Sequence, residues 1–304
     1  MISFPAVMKM KEKLRGSLSL LAATLIWGSA FIAQSVGMDH IGPFTFQAIR
    51  CGLAVLFLVP LSLVFDKGNL KAFYTKWTDP KLWKAGLICG CALFVAASLQ
   101  QVGLVYTDAG KAGFLTAMYI VLVPVLGLFL KQKPPKSTFF SVLLAVAGLY
   151  LLSCMGVSKI NKGDVMMIGC ALAYAVQITC VDRCAGDLDG LRLNCVQALV
   201  VTVISIPFMF LTETVELDSI LICWLPLCYA GILSMGVAYT LQIVGQKALE
   251  PAPAALIMSL ESVIAALCGW LILKETMTGT ELLGCGLVFI AVVLSQLPEK
   301  STVA

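Results

Sequence analysis

Two side chains of opposite charge stand deep inside long apolar stretches of this sequence: Arg50, in FQAIRCGLAVL, and Glu261, in APAALIMSLESVIAALCGWLILK. A carboxylate near the middle of a segment long enough to cross a bilayer costs roughly 3 kcal/mol to insert, so it is kept off the lipid and either paired or protonated. There Glu261 can serve as counter-charge for a cationic group of a ligand, bind a coupling proton, or hydrogen-bond neighbouring helices without titrating. The Arg50 guanidinium can hold a carboxylate through two parallel hydrogen bonds. It can also pair with Glu261, or extend outward to the interface, which lies about 12 Å away at ~1.5 Å per residue. As the two charges deep in the apolar segments, Arg50 and Glu261 suit either a zwitterionic ligand or an internal ion pair.

Amides and aromatic rings surround these charges in the same segments. Gln100, Gln242 and Gln177, with Gln34 and Gln101, offer donors and acceptors that serve a ligand or bridge helices. Trp27, Tyr119, Tyr174 and Tyr239 stand within the apolar stretches, away from the headgroup level where aromatic belts form. Aromatic faces beside a carboxylate form a cage for an ammonium group, or pack a side chain of the ligand. The candidate ligand-binding set is therefore Trp27, Arg50, Gln100, Tyr119, Tyr174, Gln177, Tyr239, Gln242 and Glu261.

Other chemistry is poorly supplied. The single histidine, His40, has no second metal ligand near it, and most of the twelve cysteines, such as Cys51, Cys89, Cys170 and Cys268, lie in apolar stretches as small packing residues. No metal site, disulfide framework or cofactor is expected. There is no HExxH motif and no embedded aspartate pair, and neither Ser29 nor Ser234 has a histidine nearby, so the chain does not read as an enzyme. A GxxxxGK[ST] loop for nucleotide is also absent.

The elements that must position these residues follow from composition. Of 304 residues, 60% are hydrophobic and 12% charged, with a mean hydropathy of +0.95; soluble domains carry about twice that charge fraction. Ten apolar blocks approach or reach the length of a membrane-crossing helix: Ser17–Val36, Pro43–Phe65, Ala85–Tyr106, Gly110–Leu130, Ser137–Cys154, Val165–Val181, Leu193–Leu211, Ser219–Val244, Ala252–Leu273 and Thr280–Leu297. We call them the first to tenth spans. The first follows Lys9, Lys11, Lys13 and Arg15, but it is longer than a signal-peptide core and reads as a retained helix. If the amino terminus is inside, sixteen basic residues fall in inside segments and four (Lys111, Lys159, Lys162 and Lys274) in outside ones. This bias predicts two cytoplasmic termini. It also accounts for the net charge of +4 without a nucleic-acid partner.

The two halves resemble each other. VAASLQQVG at Val95–Gly103 aligns with VAYTLQIVG at Val237–Gly245, six identities in nine at an offset of 142, which also pairs Tyr119 with Glu261. Upstream, an offset of 147 pairs Pro60 with Pro207, Trp27 with Tyr174 and Arg50 with Gln197. Five spans followed by five similar ones insert the second copy upside down, which places a ligand site near the midplane between the repeats. The expected fold is an all-α membrane protein, ten transmembrane helices as two inverted five-helix repeats, residues 1–158 and 159–304.

LIWGSAFIA in the first span, FQAIRCGLAVL in the second and SLESVIAALCGWLILKE in the ninth resemble the EamA-like family of the drug/metabolite transporter superfamily. VGQKALEPAPAAL, leading into the ninth span, is similar to the family's usual approach to that helix, although Ser262 follows Glu261 where the family often has proline. The resemblance covers the whole chain as two repeats. It implies a ten-helix secondary carrier, in many members an exporter, of a small metabolite such as an amino acid or organic cation. Transport would proceed across the cytoplasmic (inner) membrane by alternating access, driven by a coupling proton or by exchange. Expected partners are the small-molecule substrate and the lipid bilayer. The competing reading is a non-transporting receptor or channel for a small polar ligand.

Overall fold

The computed structural model describes residues 4–107, 109–131, 136–153, 161–272 and 278–296. The expected repeat boundary at residues 158 and 159, the span ends at Cys154, Leu273 and Leu297, and the charges on Lys133, Lys159, Lys274 and Lys300 lie outside them. The protein is an all-α membrane protein of about ten helices. Among the described residues nine helices are long and apolar enough to cross a membrane, and Thr138–Leu151 is a shorter apolar one.

The first three spans are the helices Phe4–Met38, Pro43–Phe65 and Pro80–Leu104. The fifth, sixth, seventh and tenth are Lys136–Ser153, Lys162–Ala185, Gly190–Thr212 and Gly279–Gln296. Several begin earlier than their apolar blocks because polar caps, not hydropathy, start a helix. Asp79 caps the third span ahead of Pro80, Asn161 and Asp164 form a reciprocal capping box on the sixth, and Asp189 caps the seventh. The eighth block differs most. Leu217–Ile222 is a separate short helix, and the span runs Trp224–Cys228, then a π-helix Tyr229–Ala238, then Tyr239–Gln246.

Two spans are broken near their centres. The fourth consists of Ala109–Ala117 and Tyr119–Phe129, and the ninth of Pro251–Met258 and Leu260–Ile272. No proline sits at either break. In the ninth span the serine hydroxyls compete for backbone groups: Ser259 donates to the Leu256 carbonyl at 2.8 Å, and Ser262 donates across to Gly113 at 2.8 Å. Each break falls immediately before Tyr119 or within two residues of Glu261. Pro60 and Pro207, by contrast, sit inside unbroken helices.

The third span packs along the sixth, as the eighth packs along the first; the second pairs with the seventh, the fifth with the tenth, and the halves of the fourth with those of the ninth. This pattern is unchanged when every span is exchanged for the one five places on. The second–seventh pair shows the same reciprocity in its side chains. Glu213, just past the seventh span, accepts hydrogen bonds from the Phe44 and Thr45 amides (2.7 and 2.8 Å) and the Thr45 hydroxyl (2.7 Å) at the start of the second. Asp66, just past the second span, ion-pairs with Arg192 in the first turn of the seventh. The offset of 147 converts Thr45 to Arg192 and Asp66 to Glu213.

The Asp66 clamp also takes Lys76 at 2.6 Å, while Arg192 reaches Asp189 at 2.5 Å and lies over the Phe73 and Trp77 rings. The Lys76 ammonium hydrogen-bonded to Asp66, with Arg192 beside it, holds that carboxyl below the usual carboxylate range. The folded state therefore binds this proton less readily than the unfolded one. The stabilisation is complete above the unfolded value, about 3.9, and is lost as pH falls through the lower folded one. We expect the melting temperature of the detergent-purified protein to drop more steeply below about pH 4 than that of Asp66→Asn; parallel curves would remove the clamp from the stability of the fold.

Candidate functional site

The broken spans and the first, second, third, sixth and eighth spans meet around one internal cavity. Its wall takes Trp27, Phe31 and Gln34 from the first span, Arg50 from the second, Gln100 from the third, and Thr116 and Tyr119 from the fourth. Tyr174 and Ile178 come from the sixth, Ser234, Tyr239 and Gln242 from the eighth, and Met258 and Glu261 from the ninth. Eight of the nine residues singled out in the sequence thus face one space. Gln177 is not on the wall; it is fully buried behind it, and its side-chain oxygen accepts a hydrogen bond from Gln242 at 3.2 Å. The cavity measures about 30 Å³, room for about two water molecules, so the helices must part to admit any metabolite.

The two charges are arranged unlike an ion pair. Glu261 is 6% exposed and accepts a hydrogen bond from the Tyr119 hydroxyl at 3.1 Å. Arg50 is 3% exposed, so it does not reach out to the interface; Nη1 donates to Gln34 at 3.0 Å and Nε has no partner. Among the described residues neither charge forms a salt bridge, with the other or with any third group. Tyr239 stands on the same cavity wall. Its hydroxyl is 3.1 Å from that of Tyr174, which in turn donates to Gln100 at 3.1 Å. The Trp27 ring meets Tyr239 edge-on with centroids 4.9 Å apart, and the Trp27 indole N–H has no partner. Hydrogen-bond donors and acceptors are thus left over on several sides of a small space bounded by a cation, an anion and aromatic faces.

Tight helix packing makes this possible. A Cβ added at Gly28 would stand 2.5 Å from the Ile264 Cβ and 2.8 Å from the Glu261 carbonyl oxygen, so glycine lets the first span lie against the ninth beside the acid. We expect Gly28→Ala to push the two spans apart, lowering the melting temperature and transport together. Unchanged values of both would show that the spans can separate without loss.

The wall also carries Phe31, Thr116, Ile178, Ser234 and Met258, which charge and polarity did not single out, together with Gln34. Helical spacing reveals Phe31, Gln34 and Ile178. Trp27, Phe31 and Gln34 follow at four and then three residues, and Tyr174–Ile178 repeats the first step along one face. Among the described residues no three acidic, cysteine or histidine side chains converge on a metal-sized point.

The profile of the EamA-like transporter family matches residues 14–154 and again residues 161–297. The chain belongs to this family. An uncharacterized transporter of Archaeoglobus fulgidus is 33% identical over 288 residues, 94% of this chain and 87% of that protein. The threonine/homoserine exporter RhtA of Escherichia coli K12 is 27% identical over 287 residues, 92% of this chain and 90% of RhtA. A solved crystal structure with 18% sequence identity superposes with a TM-score of 0.74, covering 92% of this chain and 96% of that one, which shows a common fold. This EamA-like protein is thus a multi-pass membrane transporter, and neither its family nor these relatives are named as enzymes.

Proposed function

We propose that this EamA-like protein is a secondary carrier that exports a small zwitterionic metabolite, foremost an α-amino acid, across the cytoplasmic membrane. The observation that supports it is that Arg50 and Glu261 share one chamber wall without pairing. Two buried charges lacking ionic partners are costly, and one molecule bearing a carboxylate and an ammonium compensates both. Arg50 takes the carboxylate, Glu261 with the Tyr119 hydroxyl takes the ammonium, and Trp27, Tyr174 and Tyr239 enclose the side chain, with Gln100 and Gln242 supplying polar contacts. The likeness to a threonine/homoserine exporter agrees with that chemistry.

Residues 1–158 and 159–304 act as two inverted repeats, and exchanging their conformations moves the chamber from one side of the membrane to the other. Both termini are cytoplasmic in this reading, as the lysine and arginine distribution indicates. Coupling follows from Glu261. Once the ammonium leaves, a carboxylate in a low-dielectric chamber needs another positive partner, and a proton is the available one. Substrate and proton then compete for a single site, which is the condition for exchanging one against the other.

A thermal-shift screen of the purified protein against L-threonine, L-leucine, choline and malonate tests the ligand class. The amino acids should raise the melting temperature, and choline or malonate alone should not. Stabilisation by choline alone would replace the zwitterion with an organic cation. Binding of an amino acid without flux in reconstituted vesicles would favour a receptor.

A further inference from the structure

At the end of the bundle that carries the amino terminus lies a second, larger hollow of about 560 Å³. Its wall combines Lys13, the inner turn of the fourth span around Val123 and Pro124, Asp182 and Gly186 at the end of the sixth, and the turn from Gln246 to Ala252. Lys13, Gly186, Lys247 and Glu250 are exposed, so the hollow opens to the surface there.

The hollow shares no wall residue with the chamber, yet on three spans the two are one helical turn apart. Tyr119, Ile178 and Gln242 line the chamber, and Val123, Asp182 and Gln246 line the hollow. Across this layer Gln246 Nε2 donates a hydrogen bond to the Ile178 carbonyl at 3.1 Å. Gln246 is 3% exposed, and the oxygen of its amide has no partner. One turn deeper, the Gln242 amide oxygen is likewise unpartnered. The opposite end is closed by an apolar layer and an ion pair. Phe31, Leu104, Ala112, Met167 and Ala265 pack as an apolar layer, and beyond them Lys111 and Asp164 pair at 2.6 Å with Thr107 donating to the same carboxylate.

We propose that the hollow is the loading mouth of the transporter and that Gln246 is the gate residue between mouth and chamber. This rests on reading the chamber as the substrate site. Ile178 stands inside a regular helix whose carbonyls are already bonded along it, so swinging the Gln246 side chain aside gives up one hydrogen bond. The two unpartnered amide oxygens, a turn apart on the eighth span, offer successive acceptors to the ammonium end of a zwitterion on its way to Glu261. The hollow's mixed charges admit such a molecule without favouring a simple anion or cation.

The test reads passage without needing the natural substrate. Thr116→Cys places a thiol on the chamber wall, and a membrane-impermeant methanethiosulfonate bearing a trimethylammonium group serves as the probe, with the wild-type protein setting the thiol background. Added to sealed vesicles on the amino-terminal side, it should modify Thr116→Cys. Adding Gln246→Trp should slow that reaction tenfold or more, and Gln246→Ala should speed it severalfold, so the result does not depend on the bulky variant folding. Modification only from the side of the 39–42 turn, or equal rates in both position-246 variants, would overturn the proposal. Failure of every amino acid in the thermal-shift screen, with these rates as expected, would instead reject the ligand class and leave the gate standing.

Discussion

Glu261→Gln is expected to abolish transport driven by a pH gradient while the protein still inserts, folds and melts near the wild-type temperature. Glutamine preserves the size of the side chain and an oxygen to accept from the Tyr119 hydroxyl, which donates to Glu261 at 3.1 Å. It cannot carry a proton into the chamber or bear a charge there. Loss of a charge-assisted hydrogen bond to an ammonium is worth about 1.5–3 kcal/mol, so amino-acid affinity should fall by roughly ten- to a hundredfold. The loss of coupling should be complete, because among the described residues no second carboxylate lines the chamber. The measurement is uptake of radiolabelled substrate into reconstituted vesicles at several imposed pH gradients. The wild type should respond steeply and the variant not at all. Gradient-driven flux at the wild-type rate would remove the acid from the mechanism; a collapse in melting temperature would make it a structural residue.

Arg50→Gln should have the second large effect, and of opposite sign on stability and function. Arg50 is buried with one hydrogen bond, to Gln34, and an unpartnered Nε. A buried cation held by one amide oxygen and the face of the Phe46 ring, with no anionic partner among the described residues, is costly in the empty protein. Glutamine keeps a donor for Gln34 and removes the charge, so the substrate-free protein should melt higher than the wild type. Binding of any ligand that brings a carboxylate should fall by about a hundredfold or more, since bidentate carboxylate recognition is lost. Calorimetric titration with L-threonine and with its carboxyl-amidated derivative separates the contributions. The wild type should discriminate strongly between them and the variant should not. A variant that is less stable than the wild type and binds equally would show Arg50 to be a framework residue. Such a gain in stability at the expense of binding is expected where a site holds strained or unpaired groups for its ligand.

Arg50 and Glu261 also mark the boundary of what could be read from the chain. Their presence in apolar segments was enough to predict buried charges, and the offset of 142 made Tyr119 and Glu261 matching positions of the two repeats; that the hydroxyl donates to the acid is seen only in the structure. Whether Arg50 met Glu261, ligand or solvent stayed open, because spacing along one helix carries no distance to another. Gln177 shows the same limit. Its polarity matched that of the wall residues, but its direction, backing Gln242 from behind, depends on how the sixth span is rotated. The breaks at Met118 and Ser259 left no proline signal in the sequence, and the π-helix at Tyr229–Ala238 begins three residues after Pro226. They arise where side chains of one helix bond the backbone of another, as Asn194 does to the Met235 and Gly236 carbonyls at 2.8 and 2.9 Å.

The sequence by itself determined that this is a helical membrane protein, where most of its spans run, and that its two halves share a plan. Those properties depend on transfer of apolar segments from water to hydrocarbon, a quantity that sums along the chain and needs no partner. Only the tertiary structure decided that Arg50 and Glu261 stand unpaired, how narrow the chamber is, and that a larger hollow lies one turn below it. Each of these is a matter of separation and rotation between helices distant in sequence. In lipid, the small residues and stray hydrogen bonds that set such geometry leave little trace in local composition.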